Sequence, residues 1–384
     1  MQFSDEHQLF RESLRRFIAE EINPHVDAWE EAESFPAHEV LAKMGDLGFL
    51  GVNYPEEYGG LGLDFWYNVV RGEELGRINC AGVPMAISVH TDMCTPALAE
   101  HGSHELRKAF LEPAIRGRML GAIAVTEPDA GSDVAGLKSR AEADGDSYIV
   151  TGTKTYITNG TQADWVCALV RTSPGTGYDG MSLVMIPTNA PGFSVSRKFR
   201  KMGNHSSDTA ELNFDRVRIP QAFRIGPEGR GFQLQMQQFQ KERLIGAVIA
   251  TAAAEQVVRM TVGYLKTRKT FGRPLIAHQW IQFKMAELVT DIEMLRQMCY
   301  HCTSNLVAGC DITREASMAK LKAGQMVRQV ADVCLQFHGG LGYMEEYPMA
   351  RYFRDARLLP IGAGADEVML GIIARLDGLV PDRE

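Results

Sequence analysis

The spacing of apolar residues changes twice along this chain and divides it into three stretches. Over residues 1–120, apolar side chains recur every three or four positions, which is the period of a helix. Ser4 is a candidate cap for a first helix that runs to about Glu20. Further helices are predicted over 65–77, 84–100 and 103–116. The first stretch is therefore predicted to be an all-α domain.

The middle stretch, residues 121–228, has the pattern of a β domain. Short apolar and β-branched runs are separated by turn pairs such as Asp144-Gly145 and Asn159-Gly160. Strands are predicted over 122–126, 148–151, 154–158, 165–171, 182–186, 193–196 and 211–219. No segment of helix length interrupts them, which disfavours a Rossmann fold and favours a small barrel or sandwich.

Helical spacing returns after residue 228. No proline occurs between Pro227 and Pro274, or from there to Pro348. A helix over 229–268 would be about 60 Å long at 1.5 Å per residue. Breaks are predicted near Arg273, Gly309 and Gly339. Helices of this length pack as an antiparallel bundle.

The predicted protein is α+β and mainly α, with domains over 1–120, 121–228 and 229–384. Hydrophobic residues make up 45% of the chain and charged residues 23%, which is typical of soluble globular proteins. The net charge of −8 disfavours nucleic acid as the main partner, because phosphate binding needs a basic face. The longest apolar run, 244–254, is shorter than the roughly 20 residues that span a bilayer. The polar start resembles no targeting segment, so a cytoplasmic protein is predicted.

The seven cysteines are an odd number scattered through a long chain, which predicts reduced thiols. Cys299 and Cys302 form a C-x-x-C pair inside a helical segment, with no second pair nearby. Packed thiols are therefore favoured over a redox or metal site, and no metal is predicted.

Two glycine-containing motifs carry the candidate chemistry. The first, Ala124-Val-Thr-Glu-Pro-Asp-Ala-Gly-Ser-Asp-Val-Ala-Gly136, follows a predicted strand and offers hydroxyls beside backbone N–H groups. It suits a flat heterocycle or a phosphate, although an ordinary polar connection has the same composition. The second, Gln336-Phe-His-Gly-Gly-Leu-Gly-Tyr343, follows a predicted helix and leaves bare N–H groups that can cradle phosphate. Together and in this order, the two motifs resemble the signatures of the acyl-CoA dehydrogenases.

The resemblance covers nearly the whole chain. It implies the acyl-CoA dehydrogenase fold with a C-terminal four-helix bundle, FAD as cofactor, and oxidation of the Cα–Cβ bond of an acyl-CoA thioester. Val125 and Thr126 match flavin-contacting positions, and Ser132 matches a position that contacts cofactor and CoA. Tyr156 and Thr158 lie on one face of a predicted strand and match residues that cover the flavin ring and bond its N5 edge. Asp129 departs from the family, which usually has glycine there.

Further cofactor positions fall in the C-terminal stretch. The matching residues are Arg268, Phe271, Gln279, Gln336, Gly340, Ala365 and Glu367. Arg268 suits a pyrophosphate because one guanidinium bonds two oxygens at once. The resemblance implies that Arg268 and Phe271 reach across a subunit interface to the FAD of a neighbour, and therefore a homotetramer built as a dimer of dimers. Ala365 lacks the hydroxyl that the family often has at this position.

The proton acceptor departs from the usual family pattern. Most members carry it as a glutamate in the loop that reads here Pro360-Ile-Gly-Ala-Gly-Ala-Asp-Glu-Val368, and Ala363 falls on that position. The isovaleryl-CoA and long-chain members use a glutamate that directly precedes an arginine on the long C-terminal helix. Glu242 precedes Arg243 here. The resemblance thus implies Glu242 as the base, with Arg243 and Gly364 as substrate contacts.

The resemblance further implies a trans-2-enoyl-CoA product and electron-transfer flavoprotein as the electron acceptor, as in β-oxidation of fatty acids. Residues 79–98 look like those of bacterial citronellyl-CoA dehydrogenases, so a branched or a medium to long acyl chain is predicted. Met85, Met93 and Met236 are candidates for lining an adaptable pocket, although core packing is the simpler interpretation. Two alternatives stay open: an acyl-CoA oxidase that uses O2, and an inactive flavoprotein that serves as a binding module.

Overall fold

The computed structural model describes residues 3–175 and 177–381. The N-terminal part is helical, as predicted, and Ser4 caps the first helix by accepting a hydrogen bond from the backbone N–H of His7 at 3.4 Å. The helices are α1 (Asp5–Phe17), α2 (Val26–Glu31), α3 (Ala37–Asp46), α4 (Phe65–Leu75), α5 (Gly82–Ser88), α6 (Pro96–His101), α7 (His104–Leu106) and α8 (Glu112–Ile115).

The two long helices predicted over 84–100 and 103–116 are each interrupted by a π-helical turn. One turn spans Val89–Cys94 and the other Arg107–Leu111. In the first, the Thr95 hydroxyl bonds the carbonyls of His90 and Thr91 at 2.8 and 3.2 Å, which bends a helix. Pro96 then starts α6, since it has no N–H with which to continue the ladder.

The middle part is one bent eight-stranded sheet. The strands are β1 (Gly121–Ala124), β2 (Arg140–Asp144), β3 (Ser147–Thr158), β4 (Trp165–Arg171), β5 (Met181–Pro187), β6 (Phe193–Lys198), β7 (Thr209–Pro220) and β8 (Arg224–Ile225). Their order is β6-β7-β3-β2-β4-β5-β8, and β1 pairs with β4 in parallel.

The strand β4 explains how this sheet sits between two cores. Trp165, Cys167 and Leu169 alternate along it with Val166, Ala168 and Val170, and all six side chains are buried. The first three pack with the helices α6 and α8, while the other three pack with β3 and β7 inside the bend of the sheet. A strand covered on both faces reads as a continuous apolar run, which is why its bounds match the prediction.

The sheet differs from the prediction in its long strand β3 and in two strands, β2 and β8, that were not predicted. The strands predicted over 148–151 and 154–158 are one strand, β3, which is interrupted by two bulges in its pairing with β7. The strand β2 was not predicted, because only Ala141 of its five residues is buried and the others give no apolar pattern.

The C-terminal part is a helical bundle, as predicted. Its helices are α9 (Gly231–Thr267), α10 (Gln279–Val307), α11 (Thr313–His338), α12 (Pro348–Ala356) and α13 (Asp366–Leu376), with a small hairpin of β9 (Lys269–Thr270) and β10 (Arg273–Pro274) after α9. The helix α9 has 37 residues and is about 55 Å long. It packs against α10 and α11 on one side and against α4 on the other.

The helix α9 is also apolar and long enough to cross a membrane by composition alone. Over its most apolar window, 56% of the residues are buried inside the protein, so it is the central helix of the fold. Cys299 and Cys302 are both buried in the core of the same bundle.

Candidate active site

A buried carboxyl lies in the first half of α9. Glu242 is 5% exposed and its neighbour Arg243 is 7% exposed. Burial raises the pKa of Glu242 to about 8, with Asp92 adding to the rise and the cations of Arg243 and Lys320 opposing it. Its Oε2 atom has no hydrogen-bond partner among the residues that the structure describes. A buried, unpaired carboxyl that titrates near neutral pH can take a proton from a weak carbon acid.

The segment of α9 that carries Glu242 is fixed to the N-terminal helices. One turn earlier, Gln238 accepts a hydrogen bond from the backbone N–H of Ala97 at 2.9 Å and donates to the carbonyl of Met93. Asp92, in the adjacent π-helical turn, accepts from the Arg71 guanidinium at 2.5 Å and from Ser88 Oγ at 3.0 Å. These contacts set the direction in which the Glu242 side chain leaves the helix.

The loop before α13 lies against Arg243. A Cβ atom placed on Gly364 would be 3.9 Å from Arg243 Nη2, and the Gly364 carbonyl accepts a hydrogen bond from Lys320 Nζ. Ala363, which stands where most of the family would have its base, has a φ of +53° and is exposed. Ala365 is half-buried and caps the start of α13, whereas Glu367 in the first turn is exposed. The structure thus places Gly364 beside Arg243.

The first motif is held to β3 by a buried ion pair. Lys154 Nζ donates to Glu127 Oε1 at 2.9 Å and to the carbonyls of Val125 and Leu169 at 3.0 and 2.7 Å. Glu127 also accepts from the backbone N–H groups of Lys138 and Ser139 at 2.7 and 2.9 Å. Val125 and Thr126, both half-buried, therefore have a fixed position along β3.

Tyr156 and Thr158 lie at the end of β3, next to the residue that bonds the motif. The backbone N–H of Thr155 donates to the Thr126 carbonyl at 2.9 Å, which joins the two segments. Tyr156 has a φ of +61° within a bulge and is 67% exposed. A left-handed conformation is costly for an aromatic residue and is a mark of functional sites. Ser132 lies further along the motif and is exposed.

The remaining predicted cofactor residues gather at one end of the bundle, where α9 ends, α10 begins and α11 ends. All five are exposed: Arg268, Phe271, Gln279, Gln336 and Gly340. The ring of Tyr264 stacks on that of His338 with centroids 4.4 Å apart, which holds the ends of α9 and α11 together. Phe271 is 96% exposed, so the residues that the structure describes leave its apolar ring almost uncovered.

A deep apolar cavity begins one turn after Glu242 on α9. Its volume is about 150 Å³, and it opens to solvent. The helix lines it with Gly246, Ile249, Ala250, Ala253, Gln256, Val257 and Met260. Pro84, Met85, Ser88 and Met93 line the opposite wall, and Met349 and Tyr352 of α12 line a third. Met236, the third candidate pocket methionine, does not line this cavity.

The residues of the first motif and β3, and those at the end of the bundle, suit the FAD that the resemblance implies. A Cβ placed on Gly131 would meet no atom within 4 Å, so the loop beside Thr126 has room for a flat ring, and the Tyr156 ring beside it is largely uncovered. The exposed guanidinium of Arg268 and the amide of Gln336 are the donors that a diphosphate requires.

Sequence reasoning missed several buried polar residues around this site. Lys154 and Lys320 are 0% and 1% exposed, and Arg71 is 0% exposed. Each makes contacts with residues far away in sequence, which no local pattern indicates. Of these three residues, only Lys154 had a signal in the sequence, because it lies two residues before Tyr156, which was already a candidate for the flavin site.

Comparisons with known proteins match nearly the whole chain. Three family models match in order: the N-terminal domain of acyl-CoA dehydrogenases over residues 4–118, the middle domain over 122–217 and the C-terminal domain over 229–376. The mitochondrial long-chain specific acyl-CoA dehydrogenase of Sus scrofa is 40% identical over 375 residues, which are 97% of this chain and 86% of that protein.

Solved structures show the same arrangement. An acyl-CoA dehydrogenase from Geobacillus kaustophilus superposes with a TM-score of 0.94 at 40% identity, covering 97% of this chain and 98% of the other. An FAD complex of PigA superposes with a TM-score of 0.94 at 26% identity and covers 99% of both chains.

Proposed function

The chain belongs to the acyl-CoA dehydrogenase family of FAD-dependent oxidoreductases, and we propose that it oxidises the Cα–Cβ bond of an acyl-CoA with Glu242 as the base. The observation that carries this proposal is the Glu242 carboxyl, which is buried, has an unpartnered oxygen and lies one helical turn from a deep apolar cavity. The product is the trans-2-enoyl-CoA.

The pKa of Glu242 fits the task of this base. The α-proton of a thioester is only weakly acidic, so its acceptor works best when its own pKa is near the working pH. Burial raises the pKa of Glu242 to about 8, while the neighbouring cations keep the ionised form accessible. Arg243 lies next to the base and beside Gly364, where both can contact the thioester end of the substrate.

The first motif and the end of β3 hold the ring of FAD, which when bound supplies the acceptor for the hydride that leaves Cβ. Val125, Thr126, Tyr156 and Thr158 are the residues for this ring, and Ser132 serves both cofactor and CoA. The exposed residues at the end of the bundle take the adenine diphosphate part of a neighbouring subunit's FAD, and Ala365 and Glu367 complete the set. This sharing requires a second copy of the chain, and the family resemblance implies a homotetramer built as a dimer of dimers.

The acyl chain occupies the apolar cavity. Its lining on α9 runs from Gly246 to Met260, a span of 14 residue steps or about 21 Å along the helix axis. Three of its residues, Gly246, Ala250 and Ala253, are small and leave width as well as depth. The cavity therefore suits a long or branched acyl chain, and electron-transfer flavoprotein accepts the electrons in the cytoplasm.

Anaerobic reduction of the enzyme-bound flavin by a series of acyl-CoAs tests the function directly. We expect bleaching of the flavin absorbance by straight long-chain and 3-methyl-branched acyl-CoAs, and no peroxide when the reduced enzyme meets air in the presence of electron-transfer flavoprotein. Rapid peroxide release would instead identify an oxidase. A flavin that no acyl-CoA bleaches would identify a binding module without this activity.

Substitution of Gly246 tests the placement of the acyl chain. A Cβ added to Gly246 meets nothing within 4 Å, so Gly246→Val puts its methyl groups into the cavity without displacing protein atoms. We expect kcat/KM for long and branched acyl-CoAs to fall by about tenfold or more, while short acyl-CoAs change little. Gly263→Val is the matched control, because Gly263 lies on the same helix, is exposed and has equal space. Equal effects of the two variants on all chain lengths would contradict this placement.

A further inference from the structure

Lys320 is a buried lysine that the proposed chemistry does not yet use. It lies on α11 and is 1% exposed. Its Nζ donates a hydrogen bond to the carbonyl of Gly364 and lies 3.6 Å from Asp366 Oδ1. A lysine is rarely buried this completely unless it is paired, because removing an ammonium group from water is costly. Its position therefore requires an explanation.

The first part of the explanation is the loop that Lys320 holds. Ala363 and Gly364 follow one another with φ values of +53° and +91°, a pair of left-handed residues that a free loop would not keep. A Cβ placed on Gly324 of α11 would lie 3.2 Å from Pro360, so the loop packs closely on this helix. The bond from Lys320 is the side-chain contact that fixes the Gly364 end of the loop.

The second part is the balance of charge around Glu242. Three carboxyl groups and three cations meet here. The carboxyl groups are Glu242 of α9, Asp92 of the π-helical turn and Asp366 of α13, and the cations are Arg71 of α4, Arg243 of α9 and Lys320 of α11. Without Lys320, an ionised Glu242 would leave this buried cluster with a net charge of −1, and protonation of a carboxyl would relieve it.

Arg243 is the other cation that favours the ionised form of Glu242, and its effect is larger than that of Lys320. Its Nη1 is directed toward Ser317 Oγ at 3.5 Å, and its guanidinium lies over the Phe239 ring at 5.8 Å from the centroid. Ser317 is one turn before Lys320 on α11, so the same face of that helix orients both cations.

We propose that Lys320 is a positioning residue of the dehydrogenation site: it holds the Gly364 loop against Arg243 and supplies positive charge that favours the ionised form of Glu242 in its buried setting. This inference rests on the proposed role of Glu242 as the base. It assigns the function of Lys320 to the ionisation of Glu242 and not to a direct contact with the substrate.

The test is the pH dependence of kcat/KM in three variants of the FAD-loaded enzyme. Lys320→Met removes both the charge and the hydrogen bond, Lys320→Gln keeps a donor without the charge, and Lys320→Arg keeps both. We expect the acidic limb of the profile to move up by roughly one pH unit in the Met and Gln variants, since the Lys320 ammonium opposes the rise in the pKa of Glu242. At pH 7 this is a loss of roughly tenfold in kcat/KM. The Arg variant should keep the limb of the wild type.

Amide hydrogen exchange across residues 361–366 provides a second readout that needs no turnover. Exchange should be faster in Lys320→Met than in the wild type and near the wild-type rate in Lys320→Arg. Lys322→Met is the matched control, because Lys322 is exposed on the same helix and donates to Gln325 Oε1 at 3.1 Å. It should change neither the profile nor the exchange.

The proposal is overturned if the Met and Gln variants hold FAD and keep the wild-type acidic limb. A variant that does not fold leaves the other neutral variant to decide. Failure of the proposed base is seen separately, as a Glu242→Gln enzyme that still bleaches its flavin rapidly. In that case the pH profile of Lys320→Met no longer reports on Glu242, whereas the hydrogen-exchange result still reports on the Gly364 loop.

Discussion

Two buried glutamates of this enzyme each lie near a cation, and their pKa values move in opposite directions. Burial alone would raise the pKa of Glu127, but the ammonium of Lys154 and hydrogen bonds from Ser139 and Lys138 outweigh it and hold the pKa below its usual range. Burial raises the pKa of Glu242 to about 8, and the adjacent Arg243 does not reverse this.

The difference lies in the direction of the contacts. Lys154 Nζ is 2.9 Å from Glu127, and two backbone N–H groups complete the shell of the carboxylate. Arg243 is directed toward Ser317, and Glu242 Oε2 receives no donor from the residues that the structure describes. The close Lys154 ammonium and the hydrogen bonds to the charged form together hold Glu127 as an anion, whereas Glu242 has only nearby cations to oppose its burial. The fold uses one glutamate to order a loop and leaves the other free to react.

Glu242→Gln should have the largest effect, and it tests the reactive glutamate of the comparison. The amide cannot accept the α-proton, so we expect kcat to fall by roughly 10³- to 10⁴-fold while FAD content and folding are retained. Steady-state turnover and anaerobic flavin bleaching measure this. Glu255→Gln is the matched control, since Glu255 lies on the same helix among arginines and away from Glu242. Turnover within tenfold of the wild type would remove Glu242 from the mechanism.

Lys154→Met tests the structural glutamate of the comparison, Glu127, by removing its cation. It leaves Glu127 buried without its cation, which costs about 3–5 kcal/mol of unfolding free energy for a buried pair. The carbonyl of Val125 loses a donor as well, so we expect weaker retention of FAD. Urea unfolding and the flavin-to-protein ratio check both effects.

The double variant Glu127→Leu with Lys154→Met separates charge from packing. An apolar pair of similar volume should recover part of the lost stability, because no unpaired charge stays buried. A double variant less stable than Lys154→Met would show that the pair contributes more than it costs to bury.

The pH dependence of stability sharpens the comparison, since the two glutamates predict opposite trends. The pKa of Glu242 rises from 4.5 to about 8 on folding, so ionising it costs stability as the pH rises through this window. Glu242→Gln should therefore gain Tm relative to the wild type from about pH 4.5 upward and level off above pH 8. Glu127→Gln should show its largest loss at neutral pH and lose less as the pH falls through the lowered pKa of Glu127. Parallel Tm curves for the two variants would contradict the assignment.

The two glutamates also show what a sequence can reveal and what it cannot. Helix α9 lacks proline and keeps a helical period, so its bounds lie within two residues of the prediction, and the Glu242-Arg243 pair was identified by its resemblance to a motif. The bond between Lys154 and Glu127 joins residues 27 positions apart, and a lysine in a strand reads as exposed. Lys320 was missed for the same reason, because its burial depends on a loop 44 residues further along.

Asp129→Asn should have the smallest effect and gives the exposed counterpart of the buried pair. Asp129 lies two residues after Glu127 and binds Lys138 Nζ at 2.9 Å, close to the separation of the Lys154 and Glu127 atoms. Both side chains are 74% exposed, so water and salt screen the pair and the chain entropy lost in ordering it offsets the attraction. We expect no measurable change in Tm or FAD content, measured beside Lys154→Met in the same buffer. A loss comparable to that of Lys154→Met would mean that the geometry of the loop, and not the burial of its ion pair, sets the stability of the flavin side of the site.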